Sequence, residues 1–198
     1  MLKKTISGIT AGLLISLGGA AFLACENKVV GASLFTIGLL SVCCYGVILY
    51  TGRIGYICDN HGKDALTGLA FGLAGNGIGS LLSGLAVRAA LPALAEKAQS
   101  VCEAKLLQTA PGTLIRGAFC GMLVYIAVNL FRDKKTSLGI LLGIPAFILS
   151  GFEHSIADMF YFAAAGIFSL PGLWFILLVV AGNSIGAILF DRLLHYSK

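Results

Sequence analysis

Phe152-Glu153-His154-Ser155-Ile156-Ala157-Asp158-Met159 is the stretch that decides how this chain is read. It places two carboxyl groups and an imidazole in the middle of an apolar run that extends from about Ser137 to Phe168. A charged Asp at the centre of a bilayer costs about 3 kcal/mol on insertion scales. Three ionisable groups in one such segment therefore have to face a cavity or one another. The surrounding composition makes the membrane reading unavoidable, because 58% of the 198 residues are hydrophobic and only 12% are charged, against about 25% charged in ordinary soluble domains.

Working outward from this stretch, charged and turn-forming clusters divide the chain into six apolar runs at about 5–25, 29–58, 65–90, 113–131, 137–168 and 172–194. Each is long enough to cross a hydrocarbon core, which takes about 20 helical residues. The second and fifth are too long for one straight crossing, so each is expected to be a broken helix with non-helical backbone at membrane depth. The expected fold class is all-α integral membrane, six transmembrane helices in two inverted three-helix repeats. The whole chain, 1–198, is read as a single transmembrane domain, with repeat 1 at about 5–90 and repeat 2 at about 113–194.

The repeat has its own sequence signal. Gly8 and Gly12 recur as Gly117 and Gly121, 109 positions later, and Gly75-Asn76 with Gly79 recurs as Gly182-Asn183 with Gly186, 107 positions later. An odd number of spans per half makes the second half enter from the opposite side. Alone, each small-xxx-small pair is an ordinary helix-packing signal; the matched offsets add the architecture.

The net charge of +5 does not point to nucleic acid, since the Lys and Arg residues are scattered and form no clustered basic face. With the amino terminus inside, nine basic residues (Lys3, Lys4, Arg53, Lys63, Arg132, Lys134, Lys135, Arg192 and Lys198) fall on the cytoplasmic side. Five (Lys28, Arg88, Lys97, Lys105 and Arg116) fall outside. That asymmetry places both termini in the cytoplasm and the protein, multi-pass, in the cell's inner membrane. Lys3-Lys4 and an apolar run ending Leu23-Ala24-Cys25 also have the form of a lipoprotein signal peptide. A retained span is expected, because cleavage would discard the sequence partner of the fourth run. The six cysteines show no metal-pair spacing, and those inside apolar runs behave as small hydrophobes.

Enzyme chemistry finds little support. His154 and Asp158 supply two groups where a catalytic metal site uses about three protein ligands. His61 and His195 lie at loop or terminal positions. Ser155 beside His154 lacks a separately placed base and orienting partner. No enzyme activity and no cofactor are expected.

Phe152-Glu153-His154-Ser155 followed by Met159-Phe160 is similar to the fifth-helix signature of the formate/nitrite transporter family, including its hydrosulfide-channel members. Phe35-Thr36-Ile37-Gly38-Leu39 with Gly46 and Leu49-Tyr50-Thr51 resembles that family's second helix and the loop interrupting it. Arg116-Gly117 through Val124 resembles its fourth helix, and Gly182-Asn183-Ser184-Ile185-Gly186 its sixth.

This resemblance implies an aquaporin-like bundle assembled as a homopentamer, with one pore per protomer passing small inorganic or organic monovalent anions of weak acids such as formate, nitrite or hydrosulfide. It implies that Leu39, Leu49, Tyr50, Val124 and Phe147, with Phe35 nearby, narrow the pore. Thr51 would be the loop threonine beside the central His154, Glu153 a brace for the helix break, and Lys3 or Lys4 a vestibule lysine. Asp158 stands where the family commonly has Asn, and Gly121 where formate channels often have Asn. Read without the resemblance, Tyr50 and Phe147 are ordinary lipid-facing or core aromatics, and the polar trio satisfies backbone groups freed by the break.

The mechanism expected from this pattern neutralises an anion before it meets apolar walls. Cationic vestibules concentrate it, a proton supplied or relayed by His154 converts it to the neutral acid, and the acid crosses the constrictions. Histidine suits the role because its unperturbed pKa is about 6.5. In a continuous helix Asp158 would sit one turn from His154 on the same face, close enough to pair. It could then be ionised, forming a neutral couple, or protonated, mimicking the missing amide. A proton-coupled secondary transporter of small monocarboxylates is the competing reading, differing in whether two gates open alternately.

Overall fold

The structure, a computed structural model, describes residues 1–197. It contains eight α-helices among those residues: α1 (Leu2–Ala24), α2 (Lys28–Tyr45), α3 (Lys63–Ala90), α4 (Pro92–Leu106), α5 (Ala110–Lys134), α6 (Leu138–Leu149), α7 (Ser155–Ala165) and α8 (Leu170–Tyr196), with a 3-10 turn at Ile54–Cys58. Five of them, α1, α2, α3, α5 and α8, are long and apolar enough to cross a membrane. At 1.5 Å per residue the 23 residues of α1 span about 35 Å. The remaining apolar run is divided between α6 and α7, of 12 and 11 residues. The protein is thus an all-helical, multi-pass membrane protein.

Local chemistry explains where these helices start and stop. Asn27 accepts hydrogen bonds from the Val29 and Val30 amides to open α2. Thr109 opens α5 and Ser169 opens α8, each followed within two positions by a proline, which fits the first turn because its missing N–H is unpaired there anyway. Gly46 ends α2 in the left-handed conformation, φ 66°, and Gly166 ends α7 at φ 71°, a region that residues with a Cβ rarely adopt. Pro145 sits inside α6, where it removes one backbone donor shortly before the helix stops at Ser150.

Both long runs are interrupted, as expected. The second passes from α2 through residues 46–53 to the 3-10 turn; the fifth passes from α6 through residues 150–154 to α7. Irregular backbone at this depth has to be paired inside the protein, and two buried asparagines do so in the same way. The Asn76 side chain donates to the carbonyls of Gly8 and Ile48, each at 2.8 Å, and accepts from the Tyr50 amide at 2.9 Å. Asn183 donates to the carbonyls of Gly117 (2.9 Å) and Glu153 (2.8 Å) and accepts from the Ser155 amide at 2.9 Å.

The matched glycines let the asparagine-bearing helices approach closely. A methyl group at Gly12 would run into the Asn76 carbonyl, and one at Gly121 into the Asn183 carbonyl. α1 therefore packs backbone to backbone on α3, and α5 on α8. At Gly121, where formate channels often have Asn, a side chain would therefore run into the backbone of α8.

One element was not expected. Residues 92–106 carry too many charges for a crossing, yet they fold as α4, which buries Ala98 and Cys102 completely. The helix lies against α7 and fixes one side of the polar cluster described next.

Candidate functional site

The break between α6 and α7 ends at His154, whose backbone is extended at φ −112° and ψ 111°. The ring folds back to cap α7, with Nδ1 accepting the Ala157 amide at 3.2 Å. A backbone N–H can only donate, so Nδ1 carries no proton in this arrangement. The ring proton is then on Nε2, which donates to the Thr51 hydroxyl at 2.9 Å. The hydrogen-bond network thus assigns the neutral Nε2–H tautomer. Both partners are buried, His154 at 4% and Thr51 at 1% exposure.

Thr51 reaches the ring from a turn closed by the Arg53 and Ile54 amides on the Tyr50 carbonyl, just after the irregular residues 47–49. Leu49, 2% exposed, joins the core that also contains Phe35, Leu39, Val124 and Phe147. Phe147 stacks on the His154 ring with centroids 5.8 Å apart and 24° between planes, and meets Phe35 edge-on at 6.1 Å. Of the site residues inferred from sequence, Thr51 and Phe147 meet the His154 ring directly, and Phe35, Leu39, Leu49 and Val124 belong to the same buried core as Phe147.

Tyr50 is placed differently. Its ring packs with Ile54, Tyr125 and Ala187, and its hydroxyl lies 2.8 Å from Ser184 Oγ on α8. The turn that begins at Tyr50, closed by the Arg53 amide on the Tyr50 carbonyl at 3.0 Å, holds Thr51 against His154 while the Tyr50 hydroxyl meets Ser184 on α8.

A cavity of about 750 Å³ opens at one end of the bundle, with Leu39 and Leu49 among its apolar lining. Lys4, Arg53, Arg132 and Lys135 line it, with Asp64 the one acidic residue among the lining groups. Lys4 is tied by its ammonium to Asp64 Oδ1 and Thr67 Oγ1, each at 2.6 Å. Lys3 is exposed on the outer surface of α1. Arg132 stands over the Tyr56 ring at 3.9 Å. Arg192 pairs with Asp59 at 2.6 Å in the loop beyond the 3-10 turn, and that hydrogen bond holds the Asp59 carboxyl below its usual range.

Asp158 does not pair with His154. Its Oδ1 lies 2.9 Å from the ammonium of Lys105 on α4, and the same ammonium is hydrogen-bonded to Glu153 Oε2. Gln108 donates to Glu153 Oε1 at 2.7 Å. The break sends the His154 ring back over the first turn of α7, while Asp158, on that turn, faces α4. Glu153 braces the break with two groups: its carbonyl is held by Asn183, and its carboxylate reaches α4 and the turn after it.

Lys105 is the buried charge partner that the sequence reading passed over, having counted it only as an outside charge. A signal was there. Ala98, Cys102 and Lys105 follow the i, i+4, i+7 spacing of one helix face, and two acids buried in an apolar segment require a cation. Among the described residues no group of three His, Cys, Asp or Glu is arranged to hold a metal ion.

Comparison with known proteins bears on the whole chain. Residues 1–197 match the family described as Formate/nitrite transporter. The chain is similar to the nitrite transporter NirC of Salmonella typhimurium, with 31% identity over 206 residues covering 92% of this chain and 75% of that protein. It is also similar to the uncharacterized transporter YrhG of Bacillus subtilis, with 29% identity over 190 residues, covering 86% and 71%. Among solved structures, a pentameric formate channel with formate bound superposes with a TM-score of 0.81 at 22% identity, over 99% of this chain and 96% of the other. An ion channel of the same family gives a TM-score of 0.80 at 24% identity, over 99% and 88%.

Proposed function

Because this chain belongs to the formate/nitrite transporter family, we propose that it is a channel for small monovalent anions of weak acids, with His154 mediating proton-linked permeation. The observation that carries this reading is the buried Thr51–His154 hydrogen bond set among apolar side chains beyond a cation-lined cavity. An unpaired ion in such surroundings is penalised by several kcal/mol even after relaxation, whereas the neutral acid is not. The vestibule cations Lys4, Arg53, Arg132 and Lys135 raise the local anion concentration. The Nε2–H of His154 and the hydroxyl of Thr51 supply the donor that an anion meets when it leaves water. Phe35, Leu39, Leu49, Val124 and Phe147 form the dry walls on either side.

In this reading the chain is one transmembrane unit of two repeats, about 5–90 and 113–194. It works as a homopentamer in the inner membrane, with the Arg53 and Arg132 end and both chain termini cytoplasmic. Family membership and the structural likeness to a pentameric channel support the assembly.

The decisive experiment is a proteoliposome flux panel of formate, nitrite, hydrosulfide, acetate and lactate across a pH series. Fast, weakly saturating flux that rises as the outside is acidified is the expected result. Saturation with a fixed proton stoichiometry at slow turnover would replace the channel by a proton-coupled carrier. No flux of any of these anions would sink the proposal.

A further inference from the structure

The polar cluster on the α4 side of the site contains more negative charge than its position tolerates. Among the described residues, Lys105 is the one cation in contact with both Glu153 and Asp158, whose side chains are 4% and 1% exposed. If both acids were ionised, the cluster would keep one uncompensated negative charge away from water, a strongly unfavourable state. The two carboxyls are also unequally served. Both oxygens of Glu153 have partners, Lys105 and Gln108. Asp158 Oδ2 is buried with no hydrogen-bond partner, and so is the hydroxyl of Ser155, three residues earlier on the first turn of α7.

The other titratable groups facing this cluster add no charge of their own near neutral pH. They are Cys102 on α4, Cys120 on α5 and Tyr161 on α7, together with His154 in its neutral tautomer. The remaining neighbours are the ring of Phe175 on α8 and the side-chain amide of Gln108.

We propose that Lys105, Glu153 and Asp158 form a second proton site beside the pore, separate from His154, in which the two carboxyls share one proton that resides on Asp158 Oδ2. The proton makes the cluster neutral. It also turns a buried acceptor that has no partner into a donor. Two carboxyls this close titrate as a pair and lose that proton in one macroscopic step. The consequence for transport rests on the channel reading above: with the proton bound the cluster is invisible to a passing anion, and with the proton lost it presents a fixed negative charge that repels it. Asp158 thus makes the protein admit anions on the acidic side of that step and exclude them on the alkaline side, by a group other than the central histidine.

The test reads the proton directly, by infrared difference spectroscopy of the reconstituted protein at neutral pH. The parent should show the carbonyl band of a protonated carboxyl. That band should vanish in Asp158→Asn, and equally in Glu153→Gln, because removing either acid leaves one carboxylate matched to one ammonium. Lys105→Met should strengthen it. Persistence of the band in either single-acid variant overturns the proposal. If a variant does not elute as the parent does, the parent alone decides: absence of any such band between mildly acidic and neutral pH overturns it. Anion flux supplies the second reading, falling about tenfold per pH unit above the step in the parent and losing that fall in Asp158→Asn. A parent that carries the band but no flux would remove the channel reading and leave the proton site standing.

Discussion

His154 does two jobs with its two nitrogens, and they constrain each other. Nδ1 holds the first turn of α7 through the Ala157 amide while Nε2 holds Thr51, so an imidazolium can form only if the helix gives up its cap. A proton relay through this ring accordingly runs through Nε2 and the Thr51 hydroxyl. Replacing His154 with Phe is expected to abolish the histidine-dependent part of the pH response of weak-acid uptake into liposomes; an unchanged profile refutes the relay. Thr51→Val keeps the shape but strands a buried Nε2–H, which costs about 1–3 kcal/mol. It should lower both flux and thermal stability, and Thr51→Ser should restore both. If the Val variant matches the parent in each measurement, the bond has no role.

At the scale of elements, the two breaks are held by side chains from helices that never themselves break. Asn76 and Asn183 each make three hydrogen bonds to otherwise unpaired backbone. Asn183→Leu leaves two carbonyls and an amide unsatisfied, at about 1–3 kcal/mol each, and should lower the unfolding temperature in detergent more than Asn129→Leu, whose side chain donates to an exposed Asp133. Gly121→Ala tests the other half of the same joint. The added methyl meets the Asn183 carbonyl, and forcing the helices apart costs roughly 1–3 kcal/mol. A Gly121→Ala protein as stable and as active as the parent would contradict the contact.

For the whole molecule, the proposed channel predicts that the charge of one end governs anion arrival. Lys4, Arg53, Arg132 and Lys135 surround the cavity, so Arg53→Gln with Lys135→Gln should weaken anion uptake from that side. The deficit should be largest at low ionic strength and shrink as salt screens the field over about 10 Å at 0.1 M. A loss independent of salt would mean that these residues act by shape instead. Assembly is checked by native mass spectrometry of the solubilised protein, where five copies per particle are expected.

Much of this was legible in the amino-acid order. Apolar runs of membrane length, two of them too long, fixed the crossings and the breaks, because hydrocarbon tolerates no unpaired backbone outside a helix unless the protein supplies partners. The recurrence of Gly8 and Asn76 as Gly117 and Asn183 anticipated the matched helix joints, and the polar run at Glu153–Asp158 pointed to the candidate site. What the order of residues could not decide was direction. Helical spacing put Asp158 on the face of His154, yet the break turns the ring away and delivers the carboxyl to Lys105, 53 positions earlier in the chain. The turn at residues 50–53 likewise left Tyr50 on α8 while Thr51 meets His154. Which charge meets which is a property of packing, since α4 carries charges that no apolar crossing would, and its contacts with α7 and α8 make its lysine an internal one.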